Sequence, residues 1–277
     1  VKRIKDWEEL TIQDNFLFQK VMRNKRLCQH LIEKILQIKI ADITYPDTEK
    51  TIDIRLDSKS VRLDVYVKDD TGRVFDIEMQ CTDEKDNGLA KRTRYYQAMI
   101  DMDVLEKGDD YSMLNPAYII FICTFDAFDR GLPMYTFRNR CVEQDGIELN
   151  DEATKIFLNS KGDSEALDPD VRAFLRYVDG KAAEGVFVQE VDKEVRRVKQ
   201  HDETRREYMT LAMELKRQRQ EGIAEGLAEG LAEGSANEKK KIIVTMLQKG
   251  LSVEFIADCV QTSAEYIIEL GKKQHLL

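Results

Sequence analysis

Residues 62–80, RLDVYVKDDTGRVFDIEMQ, read as two strand-like runs about a turn and carry Asp64, Asp76, Glu78 and Gln80. With the period of two that a strand imposes, Arg62, Asp64 and Tyr66 share one face of the first run, and Asp76, Glu78 and Gln80 share one face of the second. Leu63, Val65, Val67, Phe75, Ile77 and Met79 take the opposite faces. Three acids on one side of an otherwise apolar hairpin are costly, because neighbouring carboxylates repel and resist loss of water. A bound divalent cation removes that cost, whereas a surface hairpin with a solvated polar face never incurs it.

Residues directly opposite in a hairpin share a face, which leaves two registers. Pairing Asp64 with Glu78 makes Asp69 to Arg73 a five-residue loop containing Gly72, and pairing Asp64 with Asp76 leaves a three-residue loop. Either register sets two carboxylates side by side at the roughly 5 Å typical of cross-strand neighbours. That separation suits bridging by a metal ion.

The order Asp64, a spacer of hairpin length, then Glu78-x-Gln80 resembles the PD-(D/E)XK nuclease signature, with Gln80 where lysine is usual. The tracts DNFLFQKVM, KRTRYYQAMID, YIIFICTFDAF, YTFRNRC and TKIFLNSKG resemble the Rpn family of recombination-promoting nucleases, also described as transposases, over roughly residues 10–235. The resemblance implies an α/β fold, a PD-(D/E)XK restriction-endonuclease-like core with a mixed sheet flanked by helices and a helical C-terminal extension. It implies a DNA endonuclease using Mg²⁺ or Mn²⁺, linked to recombination, transposition or mobile-DNA defence. Asp64 and Glu78, with the main-chain carbonyl of Met79, then become the metal ligands, Asp76 a further candidate ligand, and Gln80 the group that holds the attacking water. An acid on the first helix sometimes joins such sites, which makes Asp14 a candidate beside its alternative role at a helix start.

The departure at Gln80 matters for the chemistry. Lysine at that position stabilises developing negative charge, and a neutral amide holds a water by hydrogen bonds without supplying charge. The segment after it, residues 89–104, reads as a helix carrying Lys91, Arg92, Arg94, Tyr95 and Tyr96, so a cation from this helix is the candidate replacement. A solvated helical face is the alternative.

A net charge of −9 argues against indiscriminate binding to nucleic acid, so contacts with DNA must be local. Five scattered cysteines without a C-x-x-C pair argue against a zinc site or disulfide framework and fit reduced thiols in a cytoplasmic protein. The longest apolar run, AYIIFICTF, has nine residues, short of a membrane span, and reads as a buried strand.

Apolar spacing predicts a helix over residues 11–38 and strands at 51–57, 118–125, 135–137 and 154–159. Asp53 and Asp57 are expected to face solvent, and Arg138, Asn139 and Arg140 to mark a phosphate contact or a charged strand edge. The expected organisation is a core over 1–165, a helical extension over 166–220, a repeat EGIAEGLAEGLAEG within 221–237 acting as helix or linker, and a small helical module over 238–277. Glycines every four residues in the repeat suit either close helix packing, including a homo-oligomer through the C-terminal helices, or a flexible spacer. The last module resembles a helix-turn-helix, although SAEYIIEL has few cations for phosphate contact. Two function classes stand: a metal-dependent DNA endonuclease, and a catalytically weak or inactive DNA-associated or oligomeric accessory protein that keeps the nuclease fold.

Overall fold

The computed structural model describes residues 3–46, 51–52, 61–83, 88–105, 107–163 and 165–277. Two compact units divide the chain, Lys5–Tyr208 and the pair of segments Val1–Ile4 and Met209–Leu277.

The larger unit is built on a six-stranded mixed sheet. Its strands are β1 (Ile43–Thr44), β4 (Val65–Asp69), β5 (Val74–Gln80), β6 (Ala117–Cys123), β7 (Met134–Phe137) and β8 (Ala153–Asn159), in the order β1-β4-β5-β6-β8-β7. β2 (Thr51–Ile52) and β3 (Val61–Arg62) pair separately as a two-stranded ribbon. β5, β6 and β8 run parallel, and β4 and β7 are antiparallel to their neighbours. The mixed sheet expected from the resemblance is therefore present.

Val65 lies opposite Ile77 and Tyr66 opposite Asp76, which is the register that sets Asp64 against Glu78. The loop Asp69–Arg73 closes because the buried Asp69 carboxylate accepts from the Thr71 N–H at 2.9 Å, its hydroxyl at 2.8 Å and the Arg73 N–H at 2.9 Å. Gly72 completes it with φ of 89°, and a Cβ there would meet the Asn115 side chain at 2.9 Å. The first strand-like run is interrupted: Leu63 and Asp64 lie between β3 and β4, outside either ladder.

The region expected as one helix is two, α1 (Asn15–Met22) and α2 (Lys25–Leu36), preceded by a 3₁₀ turn at Trp7–Glu9. The break falls where the Asn24 side chain accepts from the Leu27 N–H, because a new N-cap starts a new helix there. Of the strand expected over 51–57, Thr51–Ile52 is β2; Asp53 and Asp57 lie outside the described residues.

α3 (Gly88–Val104) packs against β6. Its Leu89, Met99 and Ile100 join Leu63, Tyr66, Val74, Ala117, Ile119, Phe121, Cys123, Tyr135 and Phe157 in one core. The alternate residues Val65, Val67, Phe75, Ile77, Met79, Ile120 and Ile122 are equally buried, so both faces of the central strands are covered. α1 meets β5 and α2 meets β1, and these helices pack with α4 (Pro169–Val178) and α5 (Val186–Lys199). Asp168 caps α4 by accepting from the Asp170 N–H, with Pro169 at the first helical position.

Arg138 and Arg140, just beyond β7, both pair with Glu148 on the returning chain, at 3.6 and 3.3 Å. The Asp126 carboxylate organises the turn before β7, accepting from the N–H groups of Phe128 and Gly131 and from the Tyr135 hydroxyl.

α6 (Asp202–Gln248) begins in the larger unit and forms most of the smaller one. Its 47 residues run continuously through the positions at which an extension, a repeat segment and a terminal module were expected to meet. In the smaller unit, Ile243 and Leu247 of α6 pack with Ile256 of α7 (Val253–Val260) and Ile267 of α8 (Ala264–Lys273). Ser252 and Ser263 cap α7 and α8. Among the described residues no helix is long and apolar enough to cross a membrane.

A Cβ built on Gly222, Gly226, Gly230 or Gly234 meets nothing within 4 Å, so these glycines weaken α6 without serving a close approach inside this chain. Replacing Gly226 and Gly230 by alanine is expected to stabilise that stretch by about 1 kcal/mol per site. The check is slower amide exchange at residues 222–234; faster exchange would contradict this account of the helix.

Candidate active site

Strand alternation places Asp76, Glu78 and Gln80 on the face of β5 that α3 covers, in register with Ile119, Phe121 and Cys123 of β6. The face is not solvated. Asp76 is 0% exposed, Glu78 2% and Gln80 8%, inside the larger unit's own core.

Asp64 reaches this group from the break before β4. Its backbone N–H donates to Glu78 Oε1 at 2.8 Å, and its carboxylate Oδ2 accepts from the Met79 N–H at 3.2 Å. α1 closes the other side: Asn15 Nδ2 donates to Asp64 Oδ2 at 3.0 Å and Gln19 Nε2 to Oδ1 at 2.9 Å. Neither Asn15 nor Gln19 figured among the sequence candidates. Their contacts span separations of 49 and 45 residues, and no local pattern signals them.

Of the cations on α3, Arg92 enters the group. Its Nη2 lies 3.4 Å from Glu78 Oε2 and donates to Gln80 Oε1 at 3.1 Å. The guanidinium sits over the rings of Phe121 and Tyr96, at 4.7 and 5.3 Å from their centroids. The Gln80 amide donates in turn to the Thr82 carbonyl. Lys91, Arg94 and Tyr95 lie on the exposed side of α3. Met79 contributes through its N–H. Asp14 is engaged elsewhere, accepting on Oδ2 from Lys5 Nζ and the Thr11 N–H, both at 2.8 Å.

The family model of the PD-(D/E)XK nuclease family transposases matches residues 15–162, more than half of the chain and the whole of this site. The chain belongs to that family. No curated protein and no solved structure matches it. Membership of a nuclease and transposase family agrees with the mixed sheet and with carboxylates gathered where a parallel strand pair meets a hairpin.

The electrostatics of this nuclease-family site are unbalanced. Three carboxylates face one guanidinium in a buried space, and ionised acids there are expensive unless compensated. Burial pushes the Asp76 carboxyl well above its ordinary range, and the Asp64 charge adds to the effect. Burial does the same to Glu78, reinforced by Asp76 and then Asp64. Asp64 is also raised by burial, opposed by its bonds from Gln19 and Met79, by the charge of Arg92 and by Asn15. Burial, then the Glu78 charge, raises the Tyr96 hydroxyl as well.

Whether a metal ion suits these residues turns on Asp76. Both of its carboxyl oxygens are buried and receive no N–H or hydroxyl donor, the Glu78 carboxyl being their hydrogen-bonding neighbour. These oxygens and two further carboxyls are all-oxygen chemistry, the kind a hard divalent cation takes. Among the described residues no group of three His, Cys, Asp or Glu side chains is placed so as to hold a metal ion.

The pH dependence of stability follows from the raised carboxyls. Between the unfolded values, about 3.9 for Asp and 4.3 for Glu, and the higher folded ones, the native state binds more protons than the unfolded chain. Stability from Asp76 and Glu78 is therefore full below about pH 4 and is lost as pH rises through their folded values. In EDTA, Asp76→Asn is expected to flatten the fall in melting temperature between pH 5 and 8. An unchanged slope in that variant would show that Asp76 ionises without cost.

Proposed function

We propose that this family member is a metal-dependent DNA endonuclease that hydrolyses phosphodiester bonds and serves recombination, transposition or defence against mobile DNA. The observation that supports this most is the gathering of three carboxyls, Asp76 and Glu78 buried and Asp64 half-buried, beside the single guanidinium of Arg92, with no N–H or hydroxyl donor reaching the Asp76 oxygens. In this reading Asp64, Glu78 and Asp76 hold Mg²⁺ or Mn²⁺, with the main chain of Met79 alongside. When bound, such an ion makes a coordinated water more acidic and offsets charge on the phosphate.

The remaining work falls to residues of the chain. Arg92 supplies the cation that lysine would supply in the usual motif, and its position over Phe121 and Tyr96 keeps the guanidinium directed at Glu78 and Gln80. Gln80 orients water and Arg92 through its amide. Lys91, Arg94 and Tyr95, exposed on α3, are suited to meet the phosphate backbone and bases beside the scissile bond. Asp14 acts at the start of α1. The substrate is DNA, the working compartment is the reducing cytoplasm, which suits free cysteines, and the C-terminal helices carry any self-association.

One observation favours the second reading. Asp76 and Glu78 are closed over by their neighbours, so a phosphate reaches them only if Arg92 or α1 yields. An accessory protein that retained the nuclease fold would present such a closed face permanently.

Nicking of supercoiled plasmid by the full chain separates the two. Cleavage is expected in Mg²⁺ or Mn²⁺ and not in EDTA, and Asp64→Ala and Glu78→Ala are expected to abolish it. Arg92→Met should lower the rate by about 10²–10³-fold, the usual effect of removing one group that stabilises transition-state charge. Plasmid left intact in every metal, at the level of the Asp64→Ala control, would favour the accessory role.

A further inference from the structure

Asp64 is the least anchored of the three acids by its backbone, since it lies between β3 and β4 rather than within a ladder. Its carboxylate is nonetheless held at both oxygens. Asn15 and Gln19, one turn apart on the same face of α1, donate to Oδ2 and Oδ1 at 3.0 and 2.9 Å, while the Met79 N–H approaches Oδ2 at 3.2 Å. Each carboxylate oxygen accepts more than one bond, so these donors leave acceptor capacity unused. The donors are also neutral. Lys20, the next residue of α1, directs its charge away to Glu207 at 2.6 Å, so α1 orients Asp64 without adding a cation that would compete with a metal ion.

We infer that Asn15 and Gln19 are positioning residues for Asp64, whose side-chain amides fix its carboxylate beside Glu78 and thereby set the affinity of the site for a divalent ion. This rests on the reading of Asp64, Asp76 and Glu78 as a metal site. Groups that orient a ligating side chain from behind govern metal affinity even though they never touch the ion, and their removal commonly weakens binding by about 10–100-fold. Gln19 is the one donor given to Oδ1, while Asn15 and the Met79 N–H share Oδ2, and the three together oppose rotation of the carboxylate about its Cβ–Cγ bond.

The test is Mn²⁺ binding to the full chain by calorimetry, with melting curves in EDTA as the control for folding. Gln19→Met keeps the length of the side chain and removes the donor. Asn15→Ala changes an exposed residue at the first position of α1, so it reports even if Gln19→Met does not fold. Both are expected to bind Mn²⁺ about 10–100-fold more weakly than the wild type, with melting temperatures in EDTA close to the wild type. The Mn²⁺ concentration for half-maximal plasmid nicking should rise by the same factor, with the rate at saturating Mn²⁺ largely restored. A purely structural role would lower the melting temperature and leave the metal dependence unmoved. Wild-type Mn²⁺ affinity in both variants, with Asp64→Asn weakened, overturns the positioning role and leaves the metal site standing. Absence of Mn²⁺ binding by the wild type, or wild-type binding by Asp64→Asn, removes the metal site and the positioning role with it.

Discussion

The pairing of one half-buried guanidinium with a face of buried acids is the constraint around which the larger unit is arranged. Glu78 and Asp76 lie on β5 between a hairpin strand and a parallel strand, where the ladder fixes every Cβ direction and leaves no route for the side chains to reach water. Arg92 must therefore come to them. α3 lies across β6 at the position that allows this, and its apolar residues Leu89, Met99 and Ile100 hold it there through contacts unrelated to charge. Packing positions the helix, the helix positions the cation, and the cation makes one acid tolerable.

That arrangement leaves a deficit that the protein does not settle internally. Among buried acids, Asp69 shows how a carboxylate is normally accommodated: Thr71 and Arg73 surround it, and its carboxyl lies below its ordinary range. Asp76 receives no N–H or hydroxyl donor and is driven the other way, Glu78 and Arg92 only partly offsetting burial and the Asp64 charge. Both residues sit on the same hairpin, within a few residues of each other, so the difference is not a general property of this sheet edge. A fold that satisfies one buried acid through four groups while giving the next no N–H or hydroxyl donor concentrates its cost where a ligand or a proton would relieve it.

Much of this was legible in the sequence because it depends on short-range period. Alternation along residues 65–69 and 74–80 specified which side chains share a face, whereas Leu63, expected on the face opposite Tyr66, joins the same core as Tyr66 because the run breaks before β4. The Asp64–Glu78 register with its Asp69–Arg73 loop is the one observed. α3 and the strands β6, β7 and β8 lie close to the positions their apolar spacing indicates. What escaped depends on contacts that local pattern does not encode. Asn24 splits α1 from α2 because its side chain captures the Leu27 N–H, a choice between helix interior and cap that apolar spacing does not distinguish. Asn15 and Gln19 meet Asp64 across more than forty residues. Arg92 differs from Lys91 and Arg94 by helical phase alone, and that phase is set by where Leu89 and Ile100 are buried. α6 runs through its four glycines as one helix, where composition left helix and spacer equally open.

Gln80 and Arg92 are best understood as a matched pair. A lysine at residue 80 would present only donors, and its ammonium would lie opposite the guanidinium that now donates to Gln80 Oε1. Two cations would then compete for the Glu78 carboxylate, and Arg92 would lose its acceptor within a space already lined by Phe121 and Tyr96. With the charge carried on α3, residue 80 is required to accept a hydrogen bond, which an amide does and an ammonium does not. On the proposed nuclease reading, Gln80 thus follows from Arg92: with the cation supplied by a helix, the strand position beside the acid takes a neutral acceptor, and the departure from the usual motif is a relocation of charge by one element.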